Sequence, residues 1–190
     1  GRPEDVTVDD LFPIYGIQPA FTKPTTDGGW WLPLLEKAYA KVNVNYEMIS
    51  SGSHAEAARF FTGAPAREFK SNSQTIDELW GTLHLNLDEC FIVTASCFIE
   101  HNGLIAGQGY IVKSFVVMKK SNGQEIRLLK IKNPFKQSEN SNSEDNWTGK
   151  YGKKDAFWTA ENMAKAGHLE DDEFYMAVED FKDSFKSYTI

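Results

Sequence analysis

Residues 109–133, GYIVKSFVVMKKSNGQEIRLLKIKN, decide the fold of this 190-residue chain. β-branched and aromatic residues dominate both ends of the stretch, at 109–118 and 125–133, and this composition is typical of strands. Asn122-Gly123 lies between the two ends, and this pair is a strong signal for the turn of a β-hairpin. The stretch therefore predicts two antiparallel strands.

The residues before this hairpin have the period of helices instead. Apolar stripes at helical spacing predict helices over about 30–43 and about 75–87. The side chains expected to be buried on these stripes are Leu35, Tyr39, Trp80 and Leu83. Helices first and antiparallel strands afterwards indicate an α+β fold, with a helical layer against a curved antiparallel sheet.

Shorter signals place the remaining elements. Capping boxes are indicated at Ser53 with Glu56 and at Thr75 with Glu78, and Gly63 is placed to end the short helix that follows Ser53. The other predicted elements are a strand over 6–14, a strand over 91–98, an exposed polar loop over 136–146, and a strand at 174–176 followed by a helix over about 179–185.

Charge and hydropathy exclude two classes of partner. The net charge is −7, and nucleic-acid binding needs a surplus of Lys and Arg to neutralise phosphates. No run approaches 18 consecutive apolar residues, so no membrane insertion is expected. None of the four histidines has a spaced partner that predicts a metal site.

The two cysteines, Cys90 and Cys97, lie in a stretch that reads as one strand. Residues an odd number apart on a strand point to opposite faces, so these two are not expected to form a disulfide with each other. Free packing thiols are typical of a reducing compartment.

A series of segments resembles, in order, segments of the calpain family of papain-like cysteine proteases. WWLPLLEKAYAKVN at 30–43 is similar to the family's FWSALLEKAYAKIN, and GLIAGQGYIV at 103–112 is similar to GLVKGHAYSV. Further similar segments are VDDLFP at 8–13, YEMISSGSHAEAARFFTGAP at 46–65, IRLLKIKNPF at 126–135, NWTGKYG at 146–152 and DDEFYMAVEDF at 171–181. The resemblance covers nearly the whole chain, and the shared order makes it specific.

The resemblance implies a papain-like fold and a division of the chain. Residues 1–28 are expected to be the tail end of the first calpain-like catalytic subdomain plus a linker, and 29–190 to be the second catalytic subdomain. The strand predicted at 6–9 would then lack its natural partner. We therefore expect 1–25 to lie as an arm, or to dock on another chain or on the missing first half.

In this family a cysteine attacks the peptide bond, a histidine takes the thiol proton and an asparagine orients that histidine. The resemblance places the histidine at Gln108 and the asparagine at Asn133, while the family tryptophan and glycine that follow fall on Phe135 and Lys136. A glutamine amide cannot act as a general base. The family's QxxLGDCW segment, which carries the nucleophile, is not found in these residues. Both positions are therefore expected to be degenerate, with Asn133 capping a strand and Gln108 filling the old site.

The family also binds calcium on its second subdomain. The resemblance places the ligand positions at Asn146, Lys153, Asp171, Glu173 and the carbonyl of Leu169. Calcium takes about six to eight oxygens, several of them from carboxylates, but Asn146 is uncharged and Lys153 offers no oxygen. Calcium binding is expected to be weak or lost, and no other cofactor is implied. Lys153 could pair with Asp171 or Glu173, or these side chains could be solvated in loops that never meet.

Three functions from different classes are consistent with these features. The first is a catalytically inactive calpain-like domain with a binding or scaffolding role in a larger cytoplasmic assembly, by analogy a cytoskeletal or ciliary one. Its partners would be other proteins or the missing first half. The alternative is one half of a calcium-dependent cysteine endopeptidase whose nucleophile lies upstream and whose base is another residue, such as His101. A third reading is an α+β binding module unrelated to proteases.

Overall fold

The computed structural model describes residues 3–120, 122–134 and 146–190. Outside these residues lie Phe135, Lys136 and most of the loop predicted over 136–146. The chain divides into two compact units, Gly1–Pro65 and Ala66–Ile190, which we name unit 1 and unit 2. The assignment of 1–28 and 29–190 to two family subdomains stays a prediction.

Unit 1 is built on two short helices. Its elements are β1 (Ile14–Tyr15), β2 (Gln18–Pro19), α1 (Trp31–Val42), a 3₁₀ helix (Glu47–Ile49) and α2 (His54–Thr62). The helix predicted over about 30–43 is confirmed as α1. The Ser53 hydroxyl caps α2 by accepting a hydrogen bond from the Ala55 amide at 3.2 Å. Gly63 ends α2 with a φ of 67°, a left-handed conformation that glycine adopts without strain.

Lysines of α1 hold the first residues of unit 1. Lys41 Nζ donates to the Thr7 carbonyl at 2.6 Å, and Lys37 Nζ donates to the Asp9 carbonyl at 3.0 Å. The strand predicted over 6–14 is therefore wrong except at its end. Thr7 and Asp9, which lie in the segment predicted as an arm or as docked on another chain, are held on α1. The reason is that ammonium donors satisfy the carbonyls of an extended segment as well as a neighbouring strand does.

The apolar stripe of α1 is only partly covered within unit 1. Tyr39 is half-buried, and its ring contacts those of Phe60 and Phe61 on α2 at centroid distances of 4.6 and 5.3 Å. Leu35 is 37% exposed, so the prediction of its burial is wrong. A unit as small as this one buries a low fraction of its surface, and two helices cannot cover a whole stripe.

Unit 2 is a six-stranded antiparallel sheet packed with helices, ordered β3-β8-β4-β5-β6-β7. Its elements are β3 (Glu68–Lys70), a 3₁₀ helix (Ser71–Ser73), α3 (Ile76–Asp88), β4 (Val93–Cys97), β5 (Gly109–Lys119), β6 (Glu125–Lys132), α4 (Ala160–Ala166), β7 (Glu173–Ala177), α5 (Val178–Ser184) and β8 (Phe185–Thr189). The predicted hairpin is confirmed as β5–β6, and the α+β class is confirmed. Irregular register between Ser96 and Cys97 and between Val112 and Ser114 marks bulges, which bend strands.

Alternate residues of the sheet enter two separate apolar clusters. In β7, Phe174 and Met176 join one cluster, while Tyr175 and Ala177 join the other. Successive side chains of a strand point to opposite faces, so the clusters lie on opposite sides of the sheet. Every residue of β7 is buried as a result, although β7 is an edge strand.

Helix α3 supplies the helical face of the first cluster. Its N-terminus has the predicted capping box, in which the Thr75 hydroxyl accepts from the Glu78 amide at 3.2 Å and the Glu78 carboxylate accepts from the Thr75 amide at 2.7 Å. Leu79, Trp80 and Leu83 are buried on its inner face. The predicted burial of Trp80 and Leu83 is confirmed.

The end of α3 corrects the predicted position of Cys90. Cys90 lies in the turn between α3 and β4 with a φ of 60°, so it does not share a strand with Cys97. A left-handed residue after a helix lets the chain reverse, and this geometry overrides the strand-like composition around Cys90. Cys90 is exposed, Cys97 is buried, and both thiols are free.

The helices of the chain are short. The longest described helix, α3, has 13 residues. No described helix combines the length and the apolar composition needed to cross a membrane.

Candidate functional site

Gln108 and Asn133 lie at the same end of the β5–β6 hairpin. Gln108 directly precedes β5 and Asn133 directly follows β6, and the antiparallel register of the two strands places both residues at this end. The Gln108 carbonyl accepts from the Cys97 amide at 3.0 Å, and the Asn133 amide donates to the Asp172 carbonyl at 2.8 Å. The structure thus brings together the two positions that the sequence predicts as a degenerate catalytic pair.

The side chains at this end of the sheet include two neutral amides and a buried thiol. Gln108 is half-buried, and its amide neither takes nor releases a proton near neutral pH. Asn133 is completely buried. The Cys97 thiol donates to the Ile99 carbonyl at 3.2 Å, and burial raises the pKa of this thiol. A raised pKa lowers the fraction of thiolate, so Cys97 has the character of a packing residue rather than a nucleophile.

His101, the candidate substitute base, lies in the loop between β4 and β5. It forms an isolated β-bridge with Leu104. Its Nε2 lies 2.8 Å from Asn102 Nδ2, and its ring centroid lies 6.2 Å from that of Trp147. These contacts hold His101 in this loop, where its side chain is exposed.

The predicted calcium positions come together in part. Asn146 Nδ2 donates to the Asp171 carbonyl at 3.1 Å, and Lys153 Nζ lies 3.4 Å from Asp171 Oδ1. The two loops meet, and Lys153 contacts Asp171, one of the two partners predicted for it. The alternative in which the loops never meet is wrong, although the Asp171 side chain is solvated as that alternative expected. The Leu169 side chain is buried in the second apolar cluster.

Glu173 is buried and both of its carboxylate oxygens are bonded. Oε1 accepts from Lys113 Nζ at 2.6 Å, while Oε2 lies 2.8 Å from Lys130 Nζ and accepts from the Glu170 amide at 3.0 Å. Burial by itself would raise the pKa of Glu173. The hydrogen bonds from the two lysines and the amide outweigh burial and hold this pKa at about 2. Glu173 is therefore ionised, and the charges of Lys113 and Lys130 compensate its negative charge inside the fold.

These residues do not fit calcium. Calcium takes about six to eight oxygens, whereas the Glu173 oxygens are engaged by Lys113 and Lys130, and Lys153 brings only hydrogen-bond donors. Asn146 Oδ1 is buried with no hydrogen-bond partner among the described residues, but one neutral oxygen does not make a calcium site. In the described ranges, no three His, Cys, Asp or Glu side chains are grouped to hold a metal.

The pKa of Glu173 predicts how the stability of unit 2 depends on pH. This pKa is about 2 in the folded chain, below the ordinary value of 4.5. The stability that the ionised carboxylate contributes is therefore fully present above pH 4.5 and is lost as the pH falls toward 2. Urea unfolding across this interval measures the loss, and Glu173→Gln is expected to lose less. If the free energy of unfolding fell equally with pH in the wild type and in Glu173→Gln, Glu173 would not be the group whose protonation destabilises unit 2.

Sequence reasoning missed the lysines that neutralise the acidic residues. Lys113 and Lys130 bond Glu173, and Lys132 Nζ lies 3.0 Å from Asp172 Oδ2. A signal existed for two of them, because Lys130 and Lys132 are two residues apart on a strand and so share a face. No local signal links Lys113 to a carboxylate 60 residues away.

Comparisons with known proteins agree with this structure. A family model described as calpain family cysteine protease matches residues 1–190. The proteins named Calpain-9 of Rattus norvegicus and of Homo sapiens are each 32% identical to this chain over an alignment of 200 residues, which covers 98% of the chain and 28% of each relative. The calpain-1 catalytic subunit of Homo sapiens is 30% identical over an alignment of 205 residues, which covers 100% of the chain and 27% of the relative.

The chain spans little more than a quarter of the length of these curated relatives. Within that span, the matched region includes the hairpin, the end of the sheet that carries Gln108 and Asn133, and the loop that carries Asp171. The chain belongs to the calpain family of cysteine proteases.

Proposed function

We propose that this chain is a catalytically inactive calpain-like domain that acts by binding or scaffolding. The observation that carries the proposal is Gln108, which lies with Asn133 at one end of the hairpin, where the family resemblance puts the catalytic histidine. Glutamine cannot take the proton of a thiol. Catalytic groups that act as a unit fail together, so the loss of the base reduces activity to near background.

Exposed apolar side chains of unit 1 support the binding part of the proposal. Tyr15, Ile17, Trp31 and Val44 are 86, 94, 60 and 81% exposed. Isolated exposed apolar residues are ordinary, whereas many of them in one small unit are typical of a surface that meets another protein. The partner that we propose is a protein, with a first calpain-like catalytic half favoured. Co-elution of the two halves on size-exclusion chromatography tests this partner.

The family analogy and the free thiols also suggest a cytoplasmic location, in a cytoskeletal or ciliary assembly. Imaging of the tagged protein together with markers of the cytoskeleton and cilium tests the location. Exclusive accumulation in a secretory compartment would contradict it.

Cleavage of an unfolded protein substrate tests the loss of catalysis. The assay uses the full-length natural protein that contains residues 1–190, with calcium and a reducing agent, and measures newly formed amino termini. We expect no cleavage above background. In the chain of residues 1–190 by itself, Gln108→His is expected to remain inactive, because Cys97, the buried thiol of the described chain, is held by Ile99.

Two outcomes would contradict the proposal. Wild-type cleavage that an alkylating reagent blocks would show that a thiol nucleophile lies outside residues 1–190 and that this chain is half of an active endopeptidase. If His101→Ala then abolished the cleavage, His101 would be the base. His84→Ala is the matched control, because His84 is a histidine of α3 whose ring packs 4.1 Å from that of Phe115.

A further inference from the structure

We propose that lysine ammonium groups take the place of a bound cation in unit 2, so that this half of the calpain fold is ordered without calcium. The acidic loop, 170–173, is fastened to the latch segment, 146–155, by Lys153. The inference concerns the cohesion of unit 2 and does not rest on the proposed loss of catalysis.

Lys153 contacts three oxygens of the acidic loop, as a bound metal cation would. Its Nζ donates to the Glu170 carbonyl at 2.9 Å and lies 3.5 Å from the Asp171 carbonyl and 3.4 Å from Asp171 Oδ1. An ammonium group has three donors and no acceptor, so three oxygens of two consecutive residues match its capacity. The Asp171 side chain is fully exposed, so its ion pair with Lys153 is weak. The contacts of Lys153 with the two carbonyls therefore contribute more to holding the acidic loop.

The latch segment is held in one shape that presents Lys153. Trp147 Nε1 donates to the Lys150 carbonyl at 2.7 Å, and the Tyr151 amide donates to Asp155 Oδ2 at 2.7 Å. A Cβ on Gly149 would lie 2.1 Å from the Trp147 ring, so glycine is needed for this close approach. A rigid support lowers the conformational entropy lost when the lysine bonds the loop.

The charges around the acidic loop leave no requirement for a further cation. Lys113 and Lys130 hold Glu173, Lys132 holds Asp172, and Lys153 holds Asp171, with N–O distances between 2.6 and 3.4 Å. Three carboxylates are thus paired with four ammonium groups, and the fourth carboxylate of the loop, Glu170, balances the remaining charge. A divalent cation placed among them would meet the repulsion of like charges.

Thermal unfolding of this chain with millimolar calcium or with a chelator tests the proposal. The wild-type midpoint is expected to be the same in both conditions. Lys153→Gln is expected to lower the midpoint by about 2–4 °C, the size of effect that the loss of hydrogen bonds from one exposed charged donor produces in a chain of this length. Lys154→Gln, which removes the same charge one residue along, is expected to leave the midpoint unchanged.

A double variant, Asn146→Glu with Lys153→Asp, provides the converse test. It places carboxylates at both substituted positions and removes the contacts of Lys153, so its midpoint is expected to fall in the chelator. Calcium is expected not to restore this midpoint, because Lys113, Lys130 and Lys132 still hold Glu173 and Asp172. The wild-type measurement and the single variants test the proposal even if the double variant does not fold. A double variant that folds and that calcium returns to the wild-type midpoint would overturn the proposal. The proposal would also be overturned if calcium raised the wild-type midpoint and no longer raised it in Asp171→Ala. Equal midpoints for Lys153→Gln and Lys154→Gln would overturn it as well.

Discussion

Replacing Leu83 with alanine is expected to lower the free energy of unfolding of unit 2 by about 2–5 kcal/mol. Leu83 is completely buried on the inner face of α3, in the cluster that joins this helix to the sheet. Alanine is a good helix former, so the loss comes from the cavity and the missing apolar contacts rather than from the helix itself. Urea unfolding followed by tryptophan fluorescence measures the change.

The matched control is Leu85→Ala, the same substitution two residues along the same helix. Leu85 is 63% exposed. Its truncation is expected to change the free energy of unfolding by no more than about 0.5 kcal/mol. Equal losses at the two positions would mean that α3 does not face the sheet through Leu83, and the family fold of unit 2 would have to be reconsidered.

Replacing Glu173 with glutamine is expected to destabilise unit 2 by about 3 kcal/mol at neutral pH, in the lower part of the range for removing one partner from a buried ion pair. The substitution keeps the shape of the side chain but leaves Lys113 and Lys130 without a counter-charge. The side chain of Lys113 is 44% exposed and can turn toward water, which limits the loss, while that of Lys130 is only 17% exposed.

Glu161→Gln is the control for this second substitution. Glu161 pairs with Lys165 across one turn of α4, and both side chains are largely exposed. Removing an exposed pair of this kind is expected to leave the urea midpoint unchanged within error. A midpoint for Glu173→Gln that equals that of Glu161→Gln would show that the buried pair contributes nothing to the fold.

The elements that sequence reasoning found are those with strong local signals. The β5–β6 hairpin combines two strand-like runs with a turn that contains Gly123, whose φ is 83°. Helix α3 combines a complete apolar stripe with the capping box at Thr75. In each case the period, the turn chemistry and the cap agree within a few residues, so the local structure could be predicted without knowledge of the tertiary contacts.

The elements that were missed depend on distant partners. Strand β8 has five residues and pairs with β3 and β4, both far away in the sequence. The exposed Lys186 lies among buried neighbours, so no clean alternation marks this strand. The burial of Leu35 was wrongly predicted for a related reason. A helical stripe shows which face is apolar, but whether that face is covered depends on the rest of the unit.

The candidate site divides in the same way. The family resemblance proposed Gln108 and Asn133 as the degenerate positions, and it offered Asp171 or Glu173 as a partner for Lys153, of which Asp171 is the one that Lys153 contacts. The lysines that hold Glu173 could not be found by that route, because Lys113 and Lys130 meet it only through the register of β5, β6 and β7. Ion pairs across a sheet are a property of strand order, which short motifs do not encode.

The burial of β7 has a consequence for self-association. A sheet grows into fibrils when an edge strand offers free backbone groups to another chain. In unit 2 one edge, β7, is buried along its whole length. The other edge, β3, is only three residues long and carries the charged Glu68 and Lys70. Neither edge is a good template for an added strand, so unit 2 is expected to resist amyloid growth.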